Sequence, residues 1–187
     1  MRRVSKLSLF LLLALSAACG KEEVKPLSQY ESANVQARAF NFQVYPGAKF
    51  QENQTDILRR AHFVLQPAAT EAPPMAVYVT ADPVEKVAAF YADKYGYKIA
   101  DNLSNDFSAA KPQAYFLTGD IGKDAEAIKP VADKLNLKLD PAKAKGEYRG
   151  AFFAPQASLP RVSLQRPYLD LHSGDVIDKT LIVMVRE

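Results

Sequence analysis

"AVYVTADPVEKVAAFYADKYGYKI" (Ala76 to Ile99) holds two hydrophobic periods end to end. Met75 to Thr80 is rich in β-branched and aromatic residues, which suit a strand. Asp82-Pro83-Val84-Glu85 then marks a helix start. Asp82 is placed to cap exposed N–H groups, Pro83 suits the first helical position, and Glu85 completes a capping box. Val84, Val87, Ala88, Tyr91 and Tyr95 follow at helical spacing as one apolar stripe. Gly96 is suited to the left-handed residue that ends a helix. The stretch therefore predicts a strand, a tight turn and a helix.

The pattern has an echo. "AYFLTGD" (Ala114 to Asp120) matches "AVYVTAD" (Ala76 to Asp82) at an offset of 38 residues. "ADKLNLKL" (Ala132 to Leu139) matches "ADKYGYKI" (Ala92 to Ile99) at an offset of 40. Ile121, Ala125, Ile128, Ala132 and Leu135 form a second helical stripe. Pro130 inside it predicts a kink or two short helices, and Asn136 stands where Gly96 stood, another residue that tolerates left-handed dihedrals. The echo predicts an internal strand–helix–strand duplication.

Working outward, Phe40, Phe42 and Val44 alternate with polar neighbours and predict a strand that ends at the Pro46-Gly47 turn. Arg59 to Gln66 also alternates, with Ala61, Phe63 and Leu65 on one side and Arg60, His62 and Gln66 on the other, and predicts another strand. Pro67 to Pro74 and Asp140 to Glu147 are loops by composition. Tyr148 to Phe153 and Arg161 to Gln165 predict strands, Ser173-Gly174-Asp175 a turn, and Thr180 to Val185 a last strand apolar enough to be central. The sum is an α+β fold, mainly antiparallel, with two helices packed on one face of the sheet.

The first 18 residues stand apart from this fold. Arg2, Arg3 and Lys6 precede an apolar run, Leu7 to Ala18, broken only by Ser8 and Ser16. That is the pattern of a secretory signal peptide, too short to span a bilayer, which needs roughly 20 apolar residues. Cys19 is the only cysteine in the 187 residues. Ser16-Ala17-Ala18-Cys19-Gly20 resembles the lipobox of bacterial lipoproteins, with Leu15 one position further from the cysteine than the family pattern places it. The resemblance implies diacylglycerol on the Cys19 thiol, cleavage before it, and sorting to the outer membrane facing the periplasm. The other reading is an ordinary signal cut near Ala18 with Cys19 incidental. Residues 19–29 are then the lipidated cysteine and a charged spacer, and residues 30–187 a single domain. Such a domain needs no disulfide or metal to be stable at this size. The 24 basic residues fall to 21 when Arg2, Arg3 and Lys6 leave, matching the 21 acidic ones. A neutral domain offers no basic face for nucleic acid.

"VYPGA" (Val44 to Ala48), followed by "VYVTADPVEKVAAFYADKYGY" (Val77 to Tyr97), resembles a pattern in uncharacterised bacterial envelope and lipoprotein domains. That resemblance spans about 55 residues of mostly structural motifs. It implies a fold and no activity.

Few residues point to chemistry. Asp170 and His172, two apart on an expected strand, share a face with Asp175 nearby in the turn; these ligand types suit a divalent metal. The other reading is a hairpin tip whose Asp and Gly residues make the turn. Arg59, Arg60 and His62 form a second candidate, for an anion such as phosphate or a lipid head group, against a solvated strand face. G-x-S-x-G, HExxH, a P-loop and GxGxxG are absent from the sequence. The functional expectation is a non-enzymatic envelope lipoprotein without cofactor. It would be held at the membrane by its lipid and would bind or scaffold another envelope protein. Two alternatives stand beside it. One is a carrier or sensor of a small apolar ligand, with a cavity lined by Phe90, Tyr91 and Tyr95. The other is a hydrolase using carboxylates.

Overall fold

The computed structural model describes residues 43–100, 113–154 and 160–186. Cys19, the signal, the spacer, Phe40 and Phe42 lie outside them. The chain runs through β1 (Lys49–Phe50), α1 (Glu52–Leu65), β2 (Met75–Thr80), α2 (Val84–Tyr95) and β3 (Lys98–Ala100). It continues through β4 (Gln113–Asp120), α3 (Ile121–Lys134), β5 (Glu147–Phe153), β6 (Arg161–Arg166), β7 (Tyr168–Leu169), β8 (Val176–Ile177) and β9 (Thr180–Val185). Seven strands form one sheet in the order β1-β2-β9-β6-β5-β4-β3, and β7 pairs with β8 separately. Every pairing in the large sheet is antiparallel except β3 with β4.

Register assigns the side chains to two faces, because residues directly opposite one another point the same way. Tyr78, Ile182, Leu164, Ala151 and Phe116 lie in one row across β2, β9, β6, β5 and β4. Helix α2 covers this face with Val84, Val87, Ala88 and Tyr91 and builds one continuous core there. The other face carries Val77, Val183, Leu181 and Gln165, and α1 and α3 lie over it. The α+β, mainly antiparallel sheet is thus present, with two helices, α1 and α3, on one face; the two helices expected from the sequence, α2 and α3, lie on opposite faces. All six residues of β2 are buried, as a strand covered on both faces requires. β9 lies between β2 and β6, a central position as its composition predicted.

Several local expectations are corrected. Arg59 to Gln66 is not a strand; residues 59–65 are the second half of α1. Ile57, Ala61 and Val64, at positions i, i+4 and i+7, are its buried stripe. Asp82 does not cap α2, and no capping box forms: the helix begins at Val84 without a side-chain cap. Asp82 is turned instead to the Tyr45 hydroxyl, which donates to its Oδ2 at 2.6 Å, and to Lys86 at 3.0 Å. Its carbonyl accepts from the Thr180 hydroxyl at 2.5 Å. Val44 lies in irregular chain leading to the Tyr45-Pro46-Gly47-Ala48 turn. That turn docks on α2: the Tyr45 N–H donates to the Tyr91 hydroxyl at 3.2 Å, and the Tyr45 ring meets Phe90 edge-on at 5.2 Å. Pro130 lies inside a single assigned helix, α3.

The sequence echo ends in two different places. Gly96 (φ 70°) and Asn136 (φ 55°) both take left-handed conformations after their helices. Yet Ala76 and Tyr78 face their own helix, α2, whereas their counterparts Ala114 and Phe116 pack on the α2 side, away from α3. The stretch after Gly96 forms β3, and Leu137 to Leu139 forms no strand. Gly119 adds a further difference, since a Cβ there would meet the Tyr148 ring at 2.2 Å.

Burial holds the Tyr91, Tyr97, Tyr115 and Tyr168 hydroxyls above the ordinary tyrosine value of 10.0. A raised folded-state value makes their contribution complete below pH 10 and lost as pH rises through the folded values. Tyrosinate absorbance is therefore expected to show a group of tyrosines that ionises only with cooperative unfolding above pH 10. Independent titration of all of them in a native protein would contradict this.

Candidate functional site

On the α2 side the core is solid. Tyr91 and Phe153 are fully buried, and their rings meet edge-on at 6.2 Å. Tyr95 stacks on Tyr91 at 6.3 Å, and Phe90 packs between Tyr45 and Tyr91. Phe90, Tyr91 and Tyr95 thus pack on one another and on Tyr45 and Phe153.

A cavity exists on the opposite face. There the core is split into two clusters. One joins Ile121, Ala125 and Ala132 of α3 to Tyr148; the other joins Ile57, Ala61 and Val64 of α1 to Leu135. The two helices share a contact through Leu135 and leave a gap between them over the sheet. The gap is a cavity of about 130 Å³. Gln54 and Leu58, one turn apart on α1, form one wall; Ile121, Asp124, Ala127 and Ile128 of α3 form the other. Val77, Leu181, Val183 and Gln165 make the sheet floor, and Leu169 and Leu171 close an end. Leu58, Ile128, Leu169, Leu171, Leu181 and Val183 remain half-exposed, so the helices cover this face incompletely. An engineered apolar cavity of about 150 Å³ holds benzene, so the size suits a single ring or a short aliphatic chain.

Three polar side chains reach this lining. Gln54 is buried and its amide nitrogen donates to Asp170 Oδ1 at 2.6 Å. Gln165 lies on the floor. Asp124 is half-exposed as a residue, but its Oδ1 is enclosed and has no hydrogen-bond partner. An apolar lining with a few convergent polar groups is the usual composition of a small-molecule site.

The residues expected to bind metal have another task. Asp170 and His172 do not share a strand: β7 ends at Leu169, and residues 171–173 are a turn. Asp170 Oδ1 accepts from the backbone N–H of His172 at 2.8 Å and of Ser173 at 3.0 Å, as well as from Gln54. His172 and Asp175 are exposed. Among the described residues no three His, Cys, Asp or Glu side chains are grouped to hold a metal ion. Asp170 thus builds the turn that carries Leu171 and orients Gln54 at the cavity wall.

Arg59, Arg60 and His62 do not converge either, because a helix distributes neighbours around its axis. Arg60 is paired with Asp56 at 2.9 Å. His62 is buried, contrary to its expected place on a solvated face, and burial pushes its imidazole below the ordinary range. Arg59 keeps one enclosed, unpartnered nitrogen, which alone is no anion site. Among the described residues no helix is long and apolar enough to cross a membrane.

Sequence reasoning missed the cavity, although a signal for it was there. Asp124 interrupts the apolar stripe of α3 between Ile121 and Ile128, on the inward side of the helix. Comparison with known proteins yields no relative: no family model, no curated protein and no solved structure matches the chain.

Replacing Asp170 with Ala removes an acceptor for three donors and is expected to cost about 2–3 kcal/mol in urea unfolding. Added Zn²⁺ or Ca²⁺ is expected to leave the midpoint of the wild type unchanged. A metal-dependent rise that the Asp170→Ala variant loses would restore the metal reading.

Proposed function

We propose that this protein is a non-enzymatic binding protein of the bacterial envelope. Lipid on Cys19 holds it at the membrane, with the outer membrane facing the periplasm as its place, and its domain takes up a small apolar molecule. The observation that carries the reading is the cavity between α1, α3 and the sheet, open enough to admit a ligand and lined mostly by aliphatic side chains. The lipobox resemblance of Ser16 to Gly20 supports the address, and the charged stretch Gly20 to Gln29 serves as the spacer that lifts the domain from the lipid. A carrier or sensor fits this arrangement better than a scaffold for another envelope protein, because the distinguishing feature is an interior volume.

Toluene is the simplest probe. Its titration is expected to shift methyl resonances of Leu58, Ile128 and Val183 in saturable fashion while those of Val87 and Ile182, in the solid core, stay fixed. Val183→Phe is expected to fill the cavity, keep the fold and abolish the shifts. Toluene that shifts no methyl, or shifts both cores alike, would end the reading. The address is separable: Cys19→Ala is expected to release the protein from the membrane fraction, and retention there would remove the anchor while leaving the cavity in place.

A further inference from the structure

The cavity's lining is electrically one-sided. Asp124 is the single charged side chain among its twelve lining residues. Its Oδ1 is enclosed without a donor, while the residue as a whole is half-exposed. Asp124 therefore brings the lining's one charge, with Oδ1 closed off in protein and the residue partly open to water. Gln54, across the gap, directs its amide nitrogen to Asp170.

We infer that the cavity selects a small molecule of about one ring's size that ends in a protonated amine. Its apolar body would lie on Val77, Leu181 and Val183, and its ammonium would pair with the Asp124 carboxylate where that residue lines the cavity and is partly open to water. The position of the charge makes this chemistry affordable. An ammonium at the mouth keeps part of its hydration, whereas a cation drawn fully inside would lose all of it. A carboxylate ligand of the same shape would meet Asp124 as a like charge. A neutral one would fill the space and leave the Asp124 charge without a counter-charge. The inference rests on the binding reading above and adds to it the class of ligand.

Three probes of one shape test it: benzylamine, toluene and benzoate, titrated against the wild-type protein and Asp124→Asn. Benzylamine is expected to bind the wild type about tenfold more tightly than toluene, the scale of one charge-assisted hydrogen bond, with benzoate weakest. In Asp124→Asn the toluene affinity is expected to stay the same and the preference for benzylamine to fall by about the same factor. The comparison of benzylamine with benzoate on the wild type needs no variant, so a poorly folded variant does not shield the claim. Equal affinities for the three probes, or a preference that survives Asp124→Asn, would overturn the amine assignment and leave the apolar cavity standing. Failure of all three probes to bind would overturn both.

Discussion

The structure depends on a sheet whose central strands are apolar on both faces. Met75 to Thr80 and Thr180 to Val185 pair along their full lengths, and neither strand has a polar side to give to water. Each face therefore needs a cover. One helix covers one face well, because α2 brings a stripe of small and aromatic residues that interdigitate with Ala76, Tyr78, Phe153 and Met184. Two helices share the other face. They meet through Leu135, and the half-exposed Leu58, Ile128, Leu181 and Val183 mark where the cover stays open.

The same constraint explains why the polar residues sit where they do. Asp82 is drawn away from capping by the need to fasten the Tyr45 turn over α2 and the Thr180 end of β9 to the same corner. Asp170 gathers three donors at the far end of the incomplete cover, so the turn after β7 holds Leu171 and Gln54 against the cavity. Each looks like a site residue in the sequence and acts as a fastener in the fold. Asp124 is the exception, since its enclosed oxygen has no partner among the described residues.

Much of the fold was legible because it rests on long, regular periods. The α2 stripe, the left-handed stop at Gly96 and the central character of Thr180 to Val185 follow from spacing alone. The first helix was not legible in the window that was read. Ala61, Phe63 and Leu65 alternate over a short stretch, and only the longer interval from Ile57 through Ala61 to Val64 shows the helical period. The echo between residues 76–99 and 114–139 carries a limit of another kind: similar turn and cap chemistry fixes where a helix begins and stops, not which face of the sheet it covers. The strand geometry behind the metal and anion candidates is what sequence spacing could not secure, since a turn stands in place of a strand at His172 and a helix at His62. The cavity was the least legible feature, because a gap depends on how two helices pack on a sheet, and only the acidic residue within the α3 stripe hinted at it.

The face under α1 and α3 encloses an apolar volume open to a ligand. Crystals of the protein equilibrated with xenon under pressure would reveal it, since xenon enters apolar cavities without needing a polar contact. One xenon site is expected, bounded by Leu58, Ile128 and Val183, and none in the core around Tyr91 and Phe153. A structure in which the helices have closed on the sheet and no xenon lies between them would contradict it.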